Sequence, residues 1–309
     1  MVQAPRLQMT DSEVGLEKMQ NMFSGSIVAL VTPFNRKFEI DLDAYGRLID
    51  RQIEQGTHGL VPCGCTGEAA TLSHDEQKRC IRFTVERAAG RVPVIAGAGS
   101  NNTHEAIGLT RYAKEVGADA ALLITPYYNK PTPAGQIAHF TAVANAADIP
   151  NVLYNVPSRT GTNMLPQTVA ELSKIENIVA IKEAAGSVDQ VSQIISLCGI
   201  TVLSGDDSLT LPMMAVGAKG VISVAANVAP ARMAKMCSSF LDGDLDGARK
   251  LHHELFGLFK GLFIETNPMP VKAALAHMGL IQNILRMPLT PMLPDKFAQL
   301  EPILKQLGL

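Results

Sequence analysis

The sequence predicts an α/β fold, a (β/α)8 TIM barrel with a C-terminal helical extension. Three observations carry this prediction. Short apolar segments alternate strictly with helical stretches, which implies a parallel sheet. There are eight such segments, beginning roughly 20–35 residues apart, and eight is the number that closes a sheet into a barrel. The segments are near-continuous runs of Val, Ile, Leu and Ala, the pattern of strands buried on both faces.

The first strand is predicted over 26–32 and ends at Thr32-Pro33. A helix follows, with Asp41 as N-cap and Leu42, Tyr45, Leu48, Ile49 and Ile53 at helical spacing. Strand 59–63 leads to helix 73–89, where Ser73 and Glu76 have the spacing of a capping box. Strand 94–98 precedes helix 103–116, strand 120–125 precedes helix 133–146, and strand 152–156 precedes helix 166–174. The sixth strand is Ile178-Val179-Ala180-Ile181-Lys182-Glu183, followed by helix 188–197, strand 201–204, a short helix near 209–216 and strand 220–224. From about residue 230 the pattern is helical only, at 231–240, 245–263, 271–278 and 296–307. The chain therefore divides into an N-terminal arm (1–21), a catalytic barrel (22–229) and a helical region (230–309). An open doubly wound sheet is the alternative fold. It needs a glycine-rich phosphate loop after an early strand, and Gly97-Ala98-Gly99-Ser100-Asn101-Asn102 lacks the third glycine, so it reads as a turn.

Composition narrows the function classes. The 309 residues, 47% of them hydrophobic, suffice for one large barrel domain. A net charge of −2 leaves no basic footprint, so neither nucleic acid nor a membrane is an expected partner. No apolar run approaches the ~20 residues of a membrane span. The first 21 residues are polar and carry Asp11, Glu13 and Glu17, unlike a secretion signal or a transit peptide. Five cysteines, odd in number and irregularly spaced, suit reduced thiols in the cytoplasm. Cys63 and Cys65 form a C-x-C pair without a second Cys/His pair at ligand spacing, so no metal site is expected.

A barrel places its chemistry at the C-terminal ends of its strands. Lys182 ends the sixth strand there. Burial disfavours an ammonium, and a lysine that is partly neutral near pH 7 is a nucleophilic amine able to form a Schiff base with a carbonyl compound. The plainer reading is a lysine that reaches water or pairs with an acid such as Glu183. Small and polar residues gather at the neighbouring strand ends: Gly64-Cys65-Thr66-Gly67-Glu68, Pro126-Tyr127-Tyr128-Asn129, Tyr154-Asn155-Val156-Pro157-Ser158-Arg159-Thr160-Gly161 and Gly205-Asp206-Asp207, with Ile222 on the eighth strand. Singly, each has a structural reading as turn glycine, packing aromatic or surface charge. Together, in a chain with only five tyrosines, they favour a site.

These motifs, with Ile181-Lys182-Glu183, resemble the pyruvate-dependent class I aldolases, and within them the 4-hydroxy-tetrahydrodipicolinate synthase family. The resemblance runs from about Met22 to Leu293, with the motifs in the expected order. It implies a lyase that condenses pyruvate with L-aspartate 4-semialdehyde in the diaminopimelate route to lysine, with no cofactor. Lys182 would form the imine with C2 of pyruvate. Tyr154 would move protons, relayed to Tyr128 of a neighbouring subunit, which implies a homodimer or homotetramer. Thr66 and backbone N–H groups of its turn would hold the pyruvate carboxylate, and Arg159 that of the aldehyde. Gly205 would leave room beside pyruvate, and the carbonyl of Ile222 would orient the lysine.

One position departs from the family pattern. Cys65 stands where the relay threonine is usual, and a thiol is a weaker donor than a hydroxyl. The resemblance also implies an L-lysine inhibitor pocket at a dimer interface, matched here by Ala69, Ala70, His74, Gln77, Asn101, Glu105 and Tyr127. Gln77 replaces a residue that is aromatic or histidine in many lysine-sensitive members. Alternatives within the superfamily are N-acetylneuraminate lyase, 2-keto-3-deoxygluconate aldolase and 4-hydroxy-2-oxoglutarate aldolase, and outside catalysis a pyruvate-binding sensor. Arg159 favours a small acidic aldehyde over a sugar acid. Retention of both Lys182 and Tyr154 disfavours the sensor.

Overall fold

A computed structural model of the protein describes residues 23–309, so the arm expected over residues 1–21 lies outside the described residues. Eight parallel strands form one sheet: β1 Gly25–Ala29, β2 Gly59–Val61, β3 Ile95–Gly97, β4 Ala120–Ile124, β5 Asn151–Asn155, β6 Ile178–Glu183, β7 Thr201–Ser204 and β8 Gly220–Ser223. Their spatial order is β2-β1-β8-β7-β6-β5-β4-β3. The two ends meet through a parallel bridge between Leu60 and Val94, with Leu60 N–H donating to Pro93 O at 2.9 Å and Gly97 N–H to Pro62 O at 2.9 Å. The sheet is thus closed and has no free edge. This is the predicted (β/α)8 barrel.

Helices return the chain between strands. They are α1 Leu42–Glu54, α2 His74–Ala88, α3 Thr103–Glu115, α4 Pro133–Ala146, α5 Pro166–Leu172, α6 Val188–Leu197 and α7 Thr210–Ala215. The Asp41 carboxylate accepts the Ala44 N–H at 2.9 Å, and Ser73 with Glu76 forms the expected capping box on α2. Four helices follow β8: α8 Pro230–Leu241, α9 Leu245–Gly261, α10 Met269–His277 and α11 Pro294–Gln306. The first of these packs on β1 and on α9, and so fills the eighth place in the outer ring.

Strand parity sorts side chains between the two sides of the sheet. Ile27, Ala29, Ala120, Leu122, Val152, Tyr154, Ala180, Leu203 and Ile222 form the cluster inside the barrel. Lys182 is two residues beyond Ala180 and has the same parity, so it points inward at the C-terminal rim. Glu183 points the other way, toward α6, where Gln190 donates to it at 3.0 Å. The same residue accepts two bonds from Asn155 at 3.0 and 3.1 Å and one from the Ala185 N–H at 2.7 Å. Glu183 is therefore engaged on the far side of the sheet from Lys182.

Candidate active site

Lys182 and Tyr154 are register partners across the β5–β6 pairing. Each is 6% exposed, and the lysine Nζ stands 4.3 Å from the centroid of the tyrosine ring. Burial pushes the Lys182 amine below its ordinary range, against a smaller upward pull from Cys65, Asp207 and Asp206. Burial pushes the Tyr154 phenol well above its ordinary range, helped by the neighbouring Cys65. Burial thus makes the amine easier to deprotonate while it holds the proton on the phenol, the directions that suit a nucleophile beside an acid.

The turn after β2 supplies the next wall. Gly67 N–H donates to Gly64 O and Glu68 N–H to Cys65 O, both at 3.1 Å, and Thr32 Oγ1 donates to Gly67 O at 2.7 Å. Among the described residues the amides of Cys65 and Thr66 have no acceptor. Glu68 sits in the left-handed region, φ 54°, with its side chain buried. Its carboxylate is held by Lys272 Nζ of α10 at 2.6 Å and by the Arg286 N–H at 3.1 Å. Lys272 Nζ also donates to Thr32 O at 2.9 Å and lies 4.3 Å over the Phe34 ring. A fully buried ion pair thus fastens the helical region to the turn that carries Thr66.

Arg159 lies on a one-turn helix, Pro157–Thr160, and its Nη2 donates to Asn267 O at 2.9 Å. Cys65, Thr66, Tyr154, Arg159, Lys182, Gly205 and Asp206 all line one cavity of about 680 Å³, with Phe263–Asn267 forming another part of its wall. Gly205 is required by space. A Cβ there would stand 2.5 Å from Ala184 Cβ and 3.1 Å from Lys182 Cε. Asp207 is fully buried and accepts the Val224 and Ala225 N–H groups at 3.2 and 2.9 Å, tying β7 to the end of β8. Cys65 Sγ is 4.0 Å from the Tyr154 hydroxyl, the outer limit for a sulfur hydrogen bond.

A profile of the dihydrodipicolinate synthetase family matches residues 22–307. The chain belongs to this family. A 4-hydroxy-tetrahydrodipicolinate synthase of Syntrophobacter fumaroxidans is 57% identical over 291 residues, covering 93% of this chain and all of that protein. The crystal structure of dihydrodipicolinate synthase from Aquifex aeolicus is 51% identical and superposes with a TM-score of 0.91, covering 93% of this chain and 99% of that one. The enzyme from Cyanidioschyzon merolae, solved with lysine bound, is 40% identical with a TM-score of 0.90 over 93% of this chain and 99% of that one. As a member of the dihydrodipicolinate synthetase family, the protein is a lyase of the class I aldolase type and a 4-hydroxy-tetrahydrodipicolinate synthase by homology.

The remaining residues expected from the family pattern fall in two places. Ile222 is fully buried in the interior cluster that also holds Tyr154. Tyr128 is 90% exposed, in the left-handed region at φ 69°, and lies outside the Lys182 cavity. Ala69, Ala70, Gln77 and Tyr127 line a second cavity of about 510 Å³, whose wall includes Cys65, Tyr154 and Arg159. Gln77 Nε2 donates to Ala69 O at 2.8 Å, and Asn101 Nδ2 to Tyr127 O at 3.2 Å. His74 Nε2 is 3.7 Å from Glu105 Oε2, which also accepts Ser100 Oγ at 2.7 Å. Sequence reasoning missed Asn267, Lys272 and Arg286. The signal for the first was the run Asn267-Pro268-Met269-Pro270, a break between two helical patterns.

Proposed function

We propose that Lys182 carries the reaction of this synthase, the condensation of pyruvate with L-aspartate 4-semialdehyde. The observation behind this assignment is the buried, pKa-lowered amine at the C-terminal end of β6, in contact with the Tyr154 ring. Lys182 Nζ attacks C2 of pyruvate, and loss of water leaves an iminium. The iminium draws electrons from the methyl C–H bond, so that a proton leaves and an enamine forms. The enamine carbon attacks the aldehyde while Tyr154 donates a proton to the developing alkoxide. The substrate amine then displaces Lys182 at C2, closing the ring and freeing the enzyme.

The Thr66 hydroxyl and the amides of Cys65 and Thr66 would hold the pyruvate carboxylate, with Arg159 on the same cavity wall gripping that of the aldehyde. The exposed Tyr128 fits a residue lent to a neighbouring subunit, which supports a homodimer or homotetramer as the working form. The five cysteines are all free thiols, which supports work in the reducing cytoplasm. The cluster from Ala69 to Tyr127 would take L-lysine, its amine facing Glu105, and the cavity wall shared with Tyr154 gives binding there a path to the chemistry. A flat rate across a millimolar-range lysine titration would remove that assignment.

The test of the main reading is the initial rate with both substrates, with the product drawn off by a dipicolinate reductase and followed as loss of NADPH absorbance. A rate that disappears in Lys182→Ala supports it. A folded protein without a rate overturns it.

A further inference from the structure

Asn267 is 5% exposed and lies on the segment that lines one wall of the Lys182 cavity. Its Nδ2 donates to Thr66 Oγ1 at 3.0 Å. Its Oδ1 is buried with no partner among the described residues. Its backbone carbonyl accepts Arg159 Nη2 at 2.9 Å. One residue from the helical region thus touches both groups assigned to substrate carboxylates. It is docked there by the Lys272–Glu68 pair, two residues beyond Thr66 on one side and five beyond Asn267 on the other.

A threonine hydroxyl has one proton to give and lone pairs to receive with. With the Asn267 amide filling a lone pair, the Thr66 proton has no acceptor among the described residues. It is left free for an anionic oxygen in the cavity. We infer that Asn267 is a positioning residue for pyruvate, fixing the Thr66 hydroxyl as a donor to the substrate carboxylate. This rests on the assignment of Lys182 and Thr66 to pyruvate given above.

The proposal separates donation from packing. Asn267→Asp keeps the shape but replaces the amide donor by an acceptor, which would turn the Thr66 proton away from the substrate and place like charge beside its carboxylate. Asn267→Ala removes the donor and leaves the proton free. Neither changes the backbone carbonyl on Arg159. The measurement is the pyruvate concentration giving half-maximal borohydride-trapped adduct on the full-length protein, read by mass, with no aldehyde present.

Asn267→Asp is expected to raise that concentration at least about tenfold, and Asn267→Ala about two- to fivefold, the span of losing a charge-assisted rather than an ordinary hydrogen bond. In a Thr66→Val background, where no hydroxyl remains to misdirect, the Asp substitution should keep only its like-charge effect and so raise that concentration by a smaller factor than in the wild-type background. That comparison stays informative if the single variants lose some stability. An Asp variant no worse than the Ala variant, or an undiminished Asp effect in the Thr66→Val background, would overturn the proposal. Failure of the wild-type protein to trap pyruvate would instead overturn the assignment on which it rests.

Discussion

Lys182 Nζ stands 4.3 Å from the centroid of the Tyr154 ring, and the two residues are opposite one another in the β5–β6 register. Burial disfavours the ammonium and lowers the Lys182 amine from its ordinary value, so the neutral form is reached at a lower pH than in a lysine in water. Attack on pyruvate needs that neutral form. The rate of adduct formation should therefore rise with pH and level off below the ordinary lysine value of 10.5. A stopped-flow profile that keeps climbing through 10.5 would contradict this.

Tyr154→Phe keeps the ring over Lys182 and removes only the hydroxyl, which meets the Cys65 thiol at 4.0 Å. Stability should change little. Turnover should fall by about 10²–10⁴, the usual worth of a positioned acid–base group. Steady-state kinetics and a melting curve on the same sample check both halves.

The Cys65 thiol is at the edge of hydrogen-bond reach of the Tyr154 hydroxyl. A hydroxyl is the stronger donor and acceptor at that position. Cys65→Thr is expected to preserve or raise the turnover number. A large fall would reveal a role for the sulfur itself.

Gly205→Ala forces a methyl group against Ala184 Cβ and Lys182 Cε, at 2.5 and 3.1 Å before relaxation. Overpacking of this kind costs about 1–3 kcal/mol. Because one of the displaced atoms belongs to the nucleophile, turnover should fall more than stability does. Equal loss in a urea titration and in kcat/KM would count against that ordering.

Lys272→Met strands the fully buried Glu68 carboxylate, and breaking a buried pair from one side typically costs about 3–5 kcal/mol. The double variant Glu68→Gln/Lys272→Met should recover much of the loss. A denaturant series on the four proteins of the cycle tests this. Glu68 lies in the turn that carries Thr66, so pyruvate affinity should weaken along with stability.

Much of the barrel could be read from the chain because period and polarity are local signals. Ala180 and Lys182, two apart on one strand, had to share a face, and closure of the barrel made that face the interior one. Tyr154 follows from Val152 in the same way. Asn267, Lys272 and Arg286 could not be read in that manner. Asn267 meets Thr66 across 201 positions and Lys272 meets Glu68 across 204, and helical periodicity at one end of a chain carries no information about the partner at the other. The role expected of Tyr128 came from the family resemblance and not from period or polarity, and its side chain is 90% exposed in the single chain.

The most direct test of the central claim is borohydride reduction in the presence of pyruvate, followed by peptide mass mapping. The account predicts one modified peptide, carrying the pyruvate-derived group on Lys182, and its loss in Lys182→Ala with the protein still folded. An adduct on another lysine, or none under conditions where the wild-type enzyme turns over, would contradict it.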